Sequence, residues 1–260
     1  MRLRIDATLD YQLPEPYDVL LAIEAAPTSD QRLIEDGLIV QGAGPLRTVP
    51  GEDGIGRRTL MRGLGGRLLA TYHGVFDVER PAPRLEGLER VATRDLPGDV
   101  LPFLWPSRYC ESDKFAAFVY REFAGLEGGD KILAMADWVH AHVDYVMGSS
   151  DGTTTAVDCF VHRAGVCRDF AHLMASLARA DGIPARLVSA YAWGLAPPDF
   201  HAVVEVWLND AWHLVDATRL ARTDGMVRTA VGRDATDIAF MTVFGSAQLN
   251  NQEVRVTRLD

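Results

Sequence analysis

The sequence predicts an α+β fold in two parts. A β-sandwich-like N-terminal domain spans residues 1–100, and a mixed α+β domain, a helix-rich stretch followed by strands, spans 101–260. Three observations carry this. The first eighty residues hold short segments separated by Pro, polar and Gly-rich turns, the pattern of a sandwich. Prolines break that pattern at Pro81 to Arg84 and again from Pro97 to Pro106, and the boundary is placed between these stretches. Beyond it the periodicity turns helical before strands return.

In the first part the predicted strands are Leu3 to Leu9, Asp18 to Ile23, Leu38 to Val40, Arg57 to Arg62 and Leu68 to Val78. In the second, Lys114 to Phe123 is a short helix. Asp130 is the predicted N-cap of the next, whose Ile132, Leu133, Met135, Ala136 and Val139 fall near helical spacing. Gly148 to Thr155 is polar and glycine-containing, hence a loop. Cys167 to Ala180 is a helix with Phe170, Leu173, Met174 and Leu177 on one face, stopped by Gly182 and Pro184. Strands follow at Ala185 to Trp193, Ala202 to Leu208 and Trp212 to Asp216.

Composition narrows the function classes. The chain has 260 residues, 48 % hydrophobic and 24 % charged, an ordinary globular balance. A net charge of −10 argues against a nucleic-acid partner, which calls for a basic face. No apolar run reaches the roughly 18 residues of a membrane span. The N-terminal segment lacks the apolar core of a secretory signal. Three cysteines, Cys110, Cys159 and Cys167, make a poor disulfide framework and suit a reducing cytoplasm.

Chemistry concentrates in Gly165 to Leu173, where Cys167 sits at a loop-to-helix junction. Unpaired amide N–H groups and the helix dipole favour a thiolate there, and the thiolate is the nucleophile. The nearby Asp169 opposes this and Arg168 offsets it. Position alone leaves a buried structural cysteine equally open. A catalytic thiol needs a base, and the base an orienting group. His201 begins one strand and Asp216 ends the next, with Asn209-Asp210 between them as a hairpin turn. A two-residue loop pairs Leu208 with Ala211 and sets Val203 opposite Asp216. His201 is then a diagonal neighbour of Asp216 on the same face, within hydrogen-bonding reach.

These segments resemble the bacterial transglutaminase-like superfamily, in particular members named as cysteine proteases. Gly165 to Leu173 is similar to the nucleophile motif. Ala180 to Arg186 looks like an "ALGIPAR" stretch, Phe200 to Val206 a "HAWVEV" strand, and Trp212 to Thr218 a "W-x-x-x-D-P-T" strand. Pro106 to Cys110, Gly232 to Ala235 and the β-rich N-terminal third are also similar to segments of this group. The resemblance implies a papain-like, transglutaminase-like domain with Cys167 as nucleophile, His201 as base and Asp216 as orienter. Two positions depart from the pattern: Val203 replaces the Trp after "HA", and Ala217 replaces the Pro after the Asp. Neither removes a catalytic atom; both bear on substrate walls and strand ends.

Other candidates carry less. His140 and His142 end a helical pattern where their side chains diverge, without acidic or thiol ligands at metal spacing. Cys159 and His162 match no zinc spacing, and His172 is expected to face away from the thiol. Gly63 to Gly66 lacks the strand–turn–helix context of a dinucleotide site. Tyr191 and Trp193 are either cleft-lining or core aromatics. No metal or cofactor is expected.

The expected reaction is acyl transfer on a peptide or carboxamide bond of a peptide or protein substrate. Hydrolysis is favoured over cross-linking of amines to protein glutamine. A non-catalytic binding module is the third class, and the intact Cys-His-Asp set argues against it.

Overall fold

A computed structural model describes residues 1–82 and 84–260. Pro83, part of the expected boundary, lies outside the described residues. The N-terminal third is β: β1 (Arg2–Leu13), β2 (Asp18–Leu21), β3 (Gln31–Gln41), β4 (Arg47–Pro50), β5 (Arg57–Arg62) and β6 (Gly66–Val78). Strict alternation drives β1, where Leu3, Ile5, Ala7 and Leu9 are buried and the residues between them are not. Strand β3 extends well beyond the expected Leu38 to Val40, through Glu35, Asp36 and Gly37, with a register shift between Leu33 and Glu35. Pairing against β6 overrides the poor strand propensity of those residues.

The helices follow. They are α1 (Ala116–Glu122), α2 (Gly128–His142), α3 (Ala156–His162) and α4 (Cys167–Ala180). Between them lie the two-residue strands β7 (Asp144–Tyr145) and β8 (Ala164–Gly165), paired in parallel. Asp130, expected as the N-cap of α2, lies instead in its first turn, and Glu127 is the N-cap. Gly128 and Gly129 carry the helix start against the 85–88 loop, where a β-carbon on Gly129 would meet the Leu85 carbonyl oxygen at 1.7 Å. The Asp130 carboxylate instead accepts from the Gly87 backbone N–H at 3.3 Å.

Strands β9 (Ala185–Ala192), β10 (Phe200–Leu208), β11 (Ala211–Val215) and β12 (Met226–Gly232) form an antiparallel sheet in the order β11-β10-β9-β12. Helix α4 packs on it, with Leu173, Met174 and Leu177 meeting Val204, Val206 and Leu187 in one core. The short α5 (Ala235–Ile238) leads to β13 (Met241–Val243) and β14 (Gln248–Arg258). These last strands leave the mixed sheet. β14 pairs with β1 and β13 with β2, completing the sheets β14-β1-β6-β3 and β13-β2-β5-β4 of the sandwich. By sheet membership, then, the end of the 101–260 stretch belongs with the first eighty residues. The driving force is edge pairing: without β14 the long strand β1 is an exposed edge.

The two halves share core and charge. Tyr191 of β9 stacks on Tyr72 of β6 with ring centroids 6.1 Å apart and donates to the Ile23 carbonyl at 2.7 Å. Glu205, fully buried, accepts from Arg186 at 2.8 Å and Arg228 at 2.7 Å. These arginines reach across to Asp53 at 2.8 Å and Asp30 at 2.9 Å. Each buried charge thus has a partner, which its desolvation requires. No described helix is long and apolar enough to cross a membrane.

Candidate active site

Cys167 is the first residue of α4, and the preceding chain is shaped to hold that helix start. Val166 is extended at the N-cap, and its backbone N–H donates to Asp169 Oδ2 at 2.8 Å. The Asp169 carboxylate therefore turns back onto the helix start, as a third-position acid in a capping motif does. Its other oxygen accepts from Arg168 Nη2 at 3.2 Å. The Asp169 charge is thus met by a backbone N–H and a guanidinium. A β-carbon on Gly165 would lie 2.7 Å from Asp169 Cβ and 3.3 Å from Cys159 Sγ, so this turn requires glycine.

His201 and Asp216 are brought together by the hairpin expected from sequence. Asn209 and Asp210 have φ of 47° and 57°, the left-handed pair of a two-residue turn. The ladder runs from Leu208↔Ala211 to Val204↔Val215. The next step sets Val203 level with Asp216. Asn209 is itself held, its backbone N–H donating to Glu89 O at 3.1 Å and its Oδ1 accepting from Glu89 N at 2.6 Å. His201 Nε2 meets Asp216 Oδ2 at 2.9 Å. Asp216 Oδ1 accepts from Thr218 N at 2.9 Å and Thr218 Oγ1 at 2.7 Å, which fixes the carboxylate plane. Ala217, in place of the expected proline, packs in the core.

Both members of this pair are buried, at 1 % and 4 % side-chain exposure. Burial alone pushes the imidazole pKa down. The bond to Asp216 and the adjacent Cys167 sulfur outweigh it and raise the pKa to about 10. Burial likewise favours the neutral Asp216 acid, but the bonds from His201 and Thr218 keep it below the usual carboxylate range. His201 Nδ1 has no hydrogen-bond partner among the described residues. The other two thiols are inert by environment: burial pushes Cys110 up to about 11 and Cys159 up to about 12. All three cysteines are free, and only Cys167 is partly exposed.

Tyr145 is a neighbour that the sequence did not single out. The β7–β8 pair sets it beside Gly165, and its ring packs on Phe170, one helical turn beyond Cys167, at 5.9 Å. Burial and the charge of the adjacent Cys167 sulfur raise its phenol pKa to about 12. A two-residue parallel pair leaves no periodic signal in sequence, so nothing local marked it.

The remaining candidates resolve as packing. His142 stacks on Trp138 at 4.5 Å, and its Nδ1 donates to the Trp138 carbonyl at 2.8 Å. His172 is buried, stacks on Tyr109 at 5.1 Å and accepts from Ala235 N at 3.1 Å, with burial driving its pKa down to about 3. Gly65 and Gly66 form the turn between β5 and β6. Tyr191 is core, whereas Trp193 lines a hollow of about 490 Å³ beside Asp216. Among the described residues no group of three or more His, Cys, Asp or Glu side chains is placed to hold a metal.

Known proteins are similar to this chain in sequence and fold. The model of the "Transglutaminase-like superfamily" matches residues 121–217, a span that contains Cys167, His201 and Asp216. A solved structure from Cytophaga hutchinsonii, named "Putative Cysteine Protease", aligns over 100 % of this chain and 91 % of its own. It does so with a TM-score of 0.94 and 38 % identity. The chain belongs to the transglutaminase-like superfamily. This membership supports a thiol enzyme in general. An uncharacterized protein of Mycobacterium leprae is 29 % identical over 145 residues, covering 52 % of each chain, so this chain spans about half the length of that curated relative. The periplasmic domain of TgpA from Pseudomonas aeruginosa aligns over 84 % of this chain and 90 % of its own, with 18 % identity and a TM-score of 0.44.

Proposed function

We propose that this superfamily member is a thiol-dependent acyl-transfer enzyme acting on peptide or carboxamide bonds, working as a cysteine peptidase or amidase. The observation that carries the reading is the His201–Asp216 bond with the Cys167 sulfur beside the same imidazole. Nearness to both the Asp216 carboxylate and the sulfur favours a protonated ring. The thiolate attacks the substrate carbonyl carbon, and the new oxyanion is met by the Cys167 backbone N–H at the helix start. The carbon–nitrogen bond breaks as His201 gives its proton to the departing amine, leaving a thioester on Cys167. Water, deprotonated by His201, then attacks the thioester. The acid is released and the thiol regenerated. Asp216 holds the ring tautomer throughout.

The substrate is a peptide or protein, and the free thiols fit a reducing, cytoplasmic setting. A digest of a peptide library, read by mass spectrometry with and without a primary amine, tests the proposal. Hydrolysis products from wild type, absent from Cys167→Ala, support it. Amine adducts in place of acids assign the chain to cross-linking instead. If wild type and Cys167→Ala are equally inert while peptides still bind, the chain is a binding module.

A further inference from the structure

The cleft onto which Cys167 opens is shared between the two halves of the molecule. One wall is the start of α4 with Tyr109. The other belongs to the sandwich, through Tyr11 of β1 and Gln252 of β14, closed by Phe240 and Met241. Its volume, about 520 Å³, suits a few residues of an extended peptide. Most of the lining is apolar. The charged side chains on it are both arginines, Arg108 and Arg168, in a chain whose net charge is −10. Arg168 is committed to Asp169 and to the Asp151 carbonyl at 2.7 Å. Arg108 is exposed and forms no ion pair among the described residues, its guanidinium lying 5.1 Å from the centre of the Tyr109 ring. The acids beside this cleft are already engaged: Asp234 accepts from the Tyr109 backbone N–H at 3.1 Å and from the Thr236 backbone N–H at 2.9 Å, and Asp199 is held by Gln252 Nε2 at 2.5 Å and by the Phe200 backbone N–H at 2.7 Å.

We propose that the sandwich is the specificity wall of the thiol site, and that the cleft selects peptides in which an acidic residue adjoins a bulky apolar one. The apolar side chain lies against Tyr11, Phe240 and Met241, where burial of its surface stabilises the complex. The carboxylate meets Arg108, whose planar fork matches two carboxylate oxygens. This rests on the proposal that Cys167 is the reacting centre, and it gives the N-terminal half a direct part in that centre's chemistry.

The test separates binding from turnover. Four labelled peptide amides carrying Glu-Phe, Gln-Phe, Glu-Ala or Gln-Ala are titrated by fluorescence anisotropy into the full chain bearing Cys167→Ala, and into the same chain with Arg108→Gln added. Glu-Phe should bind about tenfold more tightly than Gln-Phe or Glu-Ala. Arg108→Gln should erase the Glu-over-Gln preference and leave Phe over Ala intact. Since Arg108 is exposed and unpaired, the variant retains the fold. Equal affinities across the four peptides, no binding, or a Glu preference that survives Arg108→Gln overturns the proposal. Turnover of the same peptides by the wild-type chain is read separately. Selective binding without turnover sinks the enzyme reading and leaves the wall standing.

Discussion

The β-carbon of Asp169 lies where a β-carbon on Gly165 would come within 2.7 Å of it. Gly165→Ala therefore forces the capping carboxylate off the Val166 N–H or shifts the whole first turn of α4. Overpacking of this kind costs about 1–3 kcal/mol. Urea unfolding should show that loss, and iodoacetamide labelling of Cys167 should slow with it. A variant with wild-type stability and labelling would mean that the turn relaxes freely.

Cys167 should react first among the three cysteines. Burial holds the Cys110 and Cys159 thiols neutral well above physiological pH, whereas Cys167 is partly exposed at a helix start. Limiting iodoacetamide at pH 7, followed by peptide mapping, should place the label on Cys167. Label appearing first on Cys110 or Cys159 would count against the site.

Asp216→Asn should flatten the alkaline side of the stability profile. The folded chain raises the His201 pKa to about 10, against about 6.5 for a free histidine. Stability from the extra-tight proton is thus full below about pH 6.5 and is lost as pH climbs toward 10. One proton gives a fall of at most about 1.4 kcal/mol per pH unit across that window. Urea melts from pH 6 to 10 should decline more steeply for wild type than for the variant. Parallel declines would show that the pair does not hold the proton. The same variant should lower turnover strongly by releasing the ring tautomer.

Glu205→Ala should destabilise the chain by about 3–5 kcal/mol, because it strands Arg186 and Arg228 without their shared buried counter-ion. Glu205→Gln keeps the shape and loses the charge, and should fall between the two in a thermal melt. If the alanine variant melts like wild type, the cluster is wetter than its burial implies.

The site was more legible in sequence than the fold around it, for a physical reason. Whether His201 and Asp216 share a face depends only on the length of the Asn209-Asp210 turn, which local turn chemistry sets. The helix from Cys167 to Ala180 announces itself by periodicity and by Gly182 behind it. Strand β14 offers neither signal. Of its residues only Val254 is buried, and its reason for existing is a partner some 245 residues earlier in the chain, as in Val254↔Ala7 and Arg255↔Asp6. The β7–β8 pair is too short for any period, so Tyr145 went unnoticed. The place of Asp130 depended on how closely Gly128 approaches Leu88 and Gly129 approaches Leu85, contacts that no window of sequence contains.

The order in which the cleft is written along the chain has a consequence for synthesis. Cys167, His201 and Asp216 all precede Phe240, Met241 and Gln252, and β14 cannot join β1 until it has left the ribosome. A nascent chain that has reached Ala239 already carries Cys167, His201 and Asp216, but has only part of the wall proposed to sort substrates. On the proposed reading, selectivity is acquired last, in the same pairing event that seals the edge of the sandwich. A chain cut short after the mixed sheet would leave β1 as an unsealed, association-prone edge and, on the proposed reading, a thiol without its sorting wall.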